Sequence, residues 1–305
     1  MTAKTFTKPT FTSQLVNGLL AIKPLYNFAK SRARLMMIER AERLGVPWRD
    51  RCQQLSTMNW DSYLNPIQNL ELTYPEYYLR PFHAYDQGNL SWEAAWEVES
   101  AAYAVHSGIW SDAGIKGDPK LRQSYHEILA QKIDTPPQRI LDLGCSVGMS
   151  SFALQDVYPN AAIVGVDLSP YFLAVAQYNS EQQKRQITWQ HAAAEATGLE
   201  SHSFDLVSAC LLFHELPVTA ARDIFVEAAR LLSPGGHFAL MDMNPQSEVY
   251  AKMPPYVLTL LKSTEPYLDQ YFSLDIAEIL TELGFKNIAI APNSPRHRTI
   301  VAQKS

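Results

Sequence analysis

From about residue 121 to the C-terminus the chain alternates short apolar runs with longer stretches whose apolar residues recur at helical spacing. Strand-like runs fall at 139–143, at "AAIVGVDLS" (161–169), "ITWQHAAA" (187–194), "SFDLVSACLLF" (203–213) and "HFALMDM" (237–243). Between them, "LRQSYHEILAQKI", "SFALQDVYPN", "PYFLAVAQYNSEQQKR" and "TAARDIFVEAARLL" read as helices, the last closed by "SPGG". Strands alternating with helices predict βαβ crossovers and a parallel sheet. The C-terminus breaks the rule: after a helix over "LDIAEILTELGF", the runs "KNIAIAP" and "RHRTIVAQK" are joined only by "NSP". So short a joint forces an antiparallel pair. The expected fold is α/β, a seven-stranded, mostly parallel sheet ending in an antiparallel hairpin.

The N-terminal part has another texture. Residues 12–45 read as helical, with Pro24 dividing an earlier helix over Ser13–Ile22 from a basic one that stops at Gly45 with Pro47 just beyond. Residues 57–110 are dense in aromatics and punctuated by Pro75, Pro81 and Gly88. Ser91 is placed as the N-cap of a further helix, with Trp92 and Trp96 one turn apart. The polar stretch at 111–120 marks a boundary, giving an N-terminal helical, aromatic-rich cap (1–115) and a C-terminal domain (116–305).

Composition narrows the class. No run approaches the roughly 20 apolar residues of a membrane span, and the polar start lacks the apolar core of a secretory signal. Cys52, Cys145 and Cys210 are too scattered for a disulfide framework or a metal site, so a reducing, cytoplasmic compartment is the expectation. Of the net charge of −5, residues 1–51 carry +7 and the rest −12. The acidic body argues against a nucleic-acid substrate. The basic N-terminal helix suits either a solvated face or peripheral contact with an anionic membrane.

The stretch "RILDLGCSVGMSS" (139–151) carries the chemistry. A strand running into glycines and then a helix is how an α/β sheet presents a loop to a nucleotide. A dinucleotide fingerprint would read G-x-G-x-x-G. Here the pattern is D-x-G-x-x-x-G, with Asp142 two positions before Gly144 and Gly148 closing the loop. A carboxylate there opposes a pyrophosphate but suits an ammonium. Asp167, ending the next strand, stands where a carboxylate accepts from both hydroxyls of a ribose.

With these motifs in order, residues 121–305 resemble a class I S-adenosylmethionine (SAM)-dependent methyltransferase, whose fold is Rossmann-like. The branch most resembled holds the ubiquinone/menaquinone C-methyltransferases and many small-molecule methyltransferases. The resemblance implies SAM as cofactor, with Asp142, Gly144, Cys145, Ser146 and Gly148 around its methionine part. It implies Asp167 on the ribose, and Leu168, Ala194 and Glu195 beside the adenine. It also implies the carbonyl of Cys210 near the methionine amine. Two positions depart from the family pattern: Ser146 replaces the middle glycine, and Ala193 stands where an aspartate usually meets the adenine amine, leaving Glu195 or a water to substitute.

Methyl transfer asks mainly for alignment and exclusion of water. A general base is needed only when the acceptor holds its proton tightly. Candidates follow the fourth strand, where His214 and Glu215 form a neighbouring base and orienter, and lie in the aromatic loop as His83 and Tyr85, with Tyr77, Tyr78 and Asp86 close by. Trp92 and Trp96 read as cap core. Asp242, Arg296 and His297 fall at the same edge of the sheet. The expected function is methylation of a small, partly apolar molecule, with no nucleic-acid partner. The alternatives are a degenerate methyltransferase fold serving as a scaffold or membrane-associated factor, and an RNA or protein methyltransferase. Aminopropyl transfer lacks its acidic polyamine pattern, and "FHEL" stands where DNA amino-methylating enzymes carry an N-P-P-Y-like tetrapeptide.

Overall fold

The computed structural model describes residues 23–81 and 85–305; the helix expected over Ser13–Ile22 and His83 lie outside the described residues. The C-terminal part is built on strands β1 (Arg139–Leu143), β2 (Ala162–Asp167), β3 (Thr188–His191), β4 (Phe204–Cys210), β5 (Leu232–Met243), β6 (Phe285–Pro292) and β7 (His297–Lys304). They form one seven-stranded sheet in the order β3-β2-β1-β4-β5-β7-β6. β1 pairs in parallel with both β2 and β4, setting Leu141 beside Val164 and Val207. β7 runs antiparallel between β5 and β6, as the short "NSP" joint requires. The order reverses between β1 and β4, and the crevice at the carboxyl ends of those strands is where an open α/β sheet binds its ligand.

Each face of the sheet has its own core. On one, Leu141, Val207, Phe225 and Phe238 pack under helices α8 (Val218–Leu231) and α12 (Ile276–Glu282). On the other, Ile140, Leu206 and Met241 meet Leu121, Tyr125 and Leu129 of α5 (Gly117–Lys132). Crossover helices α6 (Met149–Val157) and α7 (Pro170–Gln183) follow β1 and β2. α5 starts inside the stretch read as a boundary, and β5 starts at Leu232, so that "SPGG" is strand with a shifted register rather than a stop. Gly235, at φ +80°, supplies the kink.

Ahead of the sheet lie α1 (Lys23–Arg43), α2 (Trp48–Ser56), α3 (Asp61–Ile67) and α4 (Trp92–His106). Pro24 falls in the first turn of α1, which tolerates it, and Gly45 follows the helix at φ +85°. The Ser91 hydroxyl accepts from the Ala94 N–H at 3.2 Å as the N-cap of α4. Trp92 and Trp96 stack with centroids 6.1 Å apart. This segment does not close on itself: Leu55, Trp60, Ala94 and Ala95 share one apolar cluster with Val147, Phe172 and Val175 of the sheet half. Among the described residues no helix is long and apolar enough to cross a membrane.

Candidate active site

One cavity of about 530 Å³ runs from the carboxyl ends of β1, β2 and β4 out between α1 and α4. Its inner end is the glycine loop. Gly144 takes φ +66°, and a Cβ there would stand 2.7 Å from the Leu212 side chain. Gly148, at φ +89°, turns the chain into α6, and its Cβ would meet Trp189 and Phe152 at 2.8–2.9 Å. Ser146 also sits in the left-handed region, at φ +50°, a conformation that costs a non-glycine residue about 1–2 kcal/mol. Its N–H donates to Asp167 Oδ2 at 2.8 Å, while its buried hydroxyl has no protein partner and lines the cavity. Leu211, just past β4, is at φ +57°, a strained position at the floor of the same cavity.

Asp167 accepts from the Ser146 N–H through one oxygen and from the Ser169 N–H, at 2.8 Å, through the other. Burial pushes its carboxyl up to about 6 against these two donors. Oδ2 keeps a further lone pair, while the Tyr78 hydroxyl, 3.5 Å away, competes for the one on Oδ1. Leu168, Ala194 and Glu195 complete this end, and Glu195 Oε2 is buried without a partner.

A feature the sequence did not reveal lies across this end. Tyr77 donates to Glu195 Oε1 at 2.7 Å, and the Tyr78 hydroxyl stands 3.5 Å from Asp167 Oδ1. The strap that carries them is stitched down at His191, whose Nδ1 accepts from the Asn69 N–H at 2.9 Å. The other ring nitrogen of His191, Nε2, lies 2.9 Å from the Leu168 carbonyl and 3.2 Å from the Tyr74 hydroxyl. Tyr77 and Tyr78, read from sequence as part of an acceptor-side loop, meet the carboxylates of Glu195 and Asp167 instead.

At the opposite inner corner, Gly144, Cys145, Ser146 and Cys210 line the cavity, but Asp142 and Gly148 do not. Asp142 is fully buried behind the loop, where Ser150 and Ser151 of α6 both donate to its Oδ2 at 2.6 Å. Asp142 ties β1 to the start of α6 through Oδ2, while its Oδ1 is buried without a hydrogen-bond partner, and burial raises its carboxyl to about 6. Sequence reading missed Arg122 of α5, which lines the cavity beside Cys210. Its guanidinium pairs with Asp118, which also faces His106 Nδ1 at 2.7 Å. Burial drives the thiols of Cys145 and Cys210 far up, so neither is a nucleophile.

The outer end holds the candidates for acceptor chemistry. His214 lies in a 3₁₀ turn after β4, and its orienter is Asp242, not Glu215. Asp242 Oδ1 faces His214 Nδ1 at 2.8 Å, and Oδ2 accepts from the backbone N–H groups of Phe213 and His214. Glu215 Oε1 is 4.0 Å from His214 Nε2. Burial alone would lower the His214 pKa, but the Asp242 carboxylate outweighs it and raises it to about 10. The free protein thus holds an imidazolium there, which opposes a general-base role at neutral pH. Tyr85 lines the cavity with its proton committed to Glu97 Oε2 at 2.9 Å, and burial with that carboxylate drives its pKa far up. Glu97 is gripped in turn by Arg34 of α1. Among the described residues no cluster of metal-ligating side chains occurs.

The cavity then leaves the sheet through an apolar arm. Ala33 and Met37 of α1 face Val98, Ala101, Ala102 and Val105 of α4, and small side chains at the crossing keep the arm open. Its far wall comes from the segment between β5 and α12, where Tyr250 of α9 (Glu248–Ala251) and Leu261 of α10 (Pro255–Thr264) line the space.

Comparisons with known proteins agree with this geometry. A family described as a methyltransferase domain matches residues 140–236. An uncharacterized methyltransferase of Synechocystis is 30% identical over 183 residues, covering 60% of this chain and 81% of that one. A ubiquinone biosynthesis O-methyltransferase of Xanthomonas campestris is 28% identical over 180 residues, covering 57% and 74%. Among solved structures, phosphoethanolamine N-methyltransferase 2 of Haemonchus contortus, bound to phosphomonomethylethanolamine and S-adenosylhomocysteine, superposes with a TM-score of 0.53 at 17% identity. It covers 76% of this chain and 60% of its own. A Pyrococcus horikoshii protein gives a TM-score of 0.51 at 19% identity, covering 66% and 95%. These structural likenesses are of fold. The glycine loop, the strand order and these relatives together make the chain a member of the class I SAM-dependent methyltransferases, with SAM as its cofactor.

Proposed function

We propose that the protein methylates a small, partly apolar molecule held in the arm between α1 and α4. The observation that supports this most is the continuity of the cavity: glycine loop, Asp167 and an apolar arm line one continuous space. SAM supplies a methyl group on a sulfonium, open to in-line displacement. The chain's own part is to bind and align. Asp167 and Glu195 suit the nucleoside, one through its spare lone pairs and the other through its partnerless Oε2. Ser146 and Leu168 flank it, and Gly144, Cys145 and the Cys210 carbonyl bound the amino-acid end, where Arg122 adds the cation a carboxylate needs.

His214, fixed by Asp242, acts as a positioned cation and hydrogen-bond donor at the acceptor rather than as a base. Tyr85 and Glu97 brace α4 against α1 and shape the arm. The N-terminal segment is a cap that shares core with the catalytic half and supplies the acceptor walls. The test is incubation of the purified protein with methyl-labelled SAM and extract of its source cells, followed by partition of the label. Label in the organic phase supports the reading. Label confined to water-soluble small molecules discards the apolar acceptor, and label in no small molecule while SAM still binds discards methyl transfer to one altogether.

A further inference from the structure

The acceptor end holds one cation that the reading so far leaves unused. Arg296 sits in the turn between β6 and β7, and its backbone is pinned on both sides: its N–H donates to Ser294 Oγ at 3.2 Å and its carbonyl accepts from the Asn244 N–H at 2.8 Å. Its side chain lines the cavity and is partly buried, beside Tyr250 and His297. The other cavity arginines each have an acid: Arg34 has Glu93 and Glu97, Arg80 has Glu76, Arg122 has Asp118. Arg296 has no carboxylate within ion-pair distance among the described residues. Glu215 and Glu265 line the same cavity and each has an interaction of its own; the side chains that act on Arg296 are Tyr250 and Arg40.

The neighbours of Arg296 are also donors. Ser294 Oγ accepts from the N–H groups of both Arg296 and His297, so its own proton goes to His297 Nδ1, 2.7 Å away. That fixes the His297 proton on Nε2, as a donor. Burial, with His106, Arg296 and His214 nearby, keeps this ring neutral. His214 is a donor on both nitrogens when protonated. A partly desolvated guanidinium without a counter-charge is costly unless a ligand brings one, and its planar fork fits an anionic oxygen group.

We infer that the acceptor is an amphipathic anion, an apolar body bearing a carboxylate or ionised hydroxyl, and that Arg296 is the residue that selects it. This rests on the proposed methyl transfer to an acceptor in the apolar arm. The anion lies at the β6–β7 turn, between Arg296 and the His297 Nε2–H, while the body follows α4. The probes are octanoate, octanol and octylamine, which share one tail and differ in the head. Their binding to the full-length protein saturated with S-adenosylhomocysteine is followed by calorimetry. Octanoate is expected to bind about tenfold or more tighter than octanol. Arg296→Gln abolishes that preference and leaves SAM affinity and the melting temperature unchanged, and Arg296→Lys keeps part of it. Equal affinity for the three probes, binding by none of them, tighter binding of the amine, or a carboxylate preference that survives Arg296→Gln each overturns the inference. SAM affinity is measured on the same samples: its loss in the wild-type protein would strike the methyl-transfer reading itself.

Discussion

Removal of the Asp167 carboxylate separates a ribose-binding site from a turn that only looks like one. The group is buried, and each oxygen already holds one backbone N–H at 2.8 Å. A bound ribose adds hydroxyl donors to the remaining lone pairs, and one hydrogen bond to a charged acceptor contributes about 1.5–3 kcal/mol. Asp167→Ala should therefore weaken SAM about 10- to 150-fold, and more if both hydroxyls are held. The pH dependence gives an independent check. Burial raises the carboxyl to about 6, so above pH 7 the acceptor is ionised and affinity is flat. Below pH 6 the protonated form must lose its proton to bind, and Kd rises by about tenfold per unit. Asp142 is raised to about the same value but does not line the cavity. Titration calorimetry across pH 5–8 on both proteins separates the two: a fall in affinity below pH 6 that persists in Asp167→Ala belongs to Asp142. Unchanged affinity in the variant, or a flat wild-type profile, would refute the ribose assignment.

Tyr78→Phe removes a hydroxyl that competes with the ribose for Asp167 Oδ1, so SAM should bind up to about fivefold tighter by calorimetry; weaker binding would show that Tyr78 holds the nucleoside instead. Asp242→Asn strips His214 of its counter-charge and should cost about 3 kcal/mol in denaturant unfolding. His214 titrates at about 10 in the folded protein against an ordinary 6.5, so its contribution is complete below pH 6.5 and is lost as pH rises towards 10. Stability should decline across that window in the wild type, and the His214 part of the decline should vanish in the variant. Ser146→Gly relieves a φ of +50° and should stabilise the fold by about 1 kcal/mol, while SAM affinity falls if the serine hydroxyl is a ligand.

The sheet was legible because its signals are local. A strand between two crossover helices must be apolar throughout, and "NSP" is too short for anything but a hairpin. The glycine loop announced itself for the same reason: Gly144 and Gly148 hold backbone angles that side chains avoid. The misread parts depend on distant partners. Asp142 shows in sequence only its place before the glycine loop, not that Ser150 and Ser151 of the following helix donate to its Oδ2. Glu215 looked like the orienter of His214 because it is adjacent, and it does come within 4.0 Å of Nε2, but the ring's hydrogen bond is with Asp242 of β5, far away in sequence. The tyrosine strap has no periodicity at all. Its placement rests on single hydroxyls meeting Glu195, Asp167 and His191, contacts between residues roughly 90 to 120 positions apart.

The donors at the outer end, set beside the carboxylates of Glu215 and Glu265, bear on the anionic acceptor inferred above. A neutral acceptor with a tightly held proton would call for a neutral base near the reacting atom, whereas His214 is a cation, His297 donates from Nε2, and the Tyr85 proton is held by Glu97. An acceptor that arrives already ionised needs none of these to take a proton. It would be met by Arg296, which pairs with no carboxylate among the described residues, and by donors, and the reaction it enters would join an anion to a sulfonium to give less charged products. Apolar walls favour such a loss of charge, because neither ion is then solvated by water as well as it would be outside. On the inference above, the alanine- and valine-lined arm, the His214–Asp242 dyad and Arg296 would serve one reaction class; tighter binding of octylamine, which the carboxylates of Glu215 and Glu265 in the same cavity would favour, would overturn it.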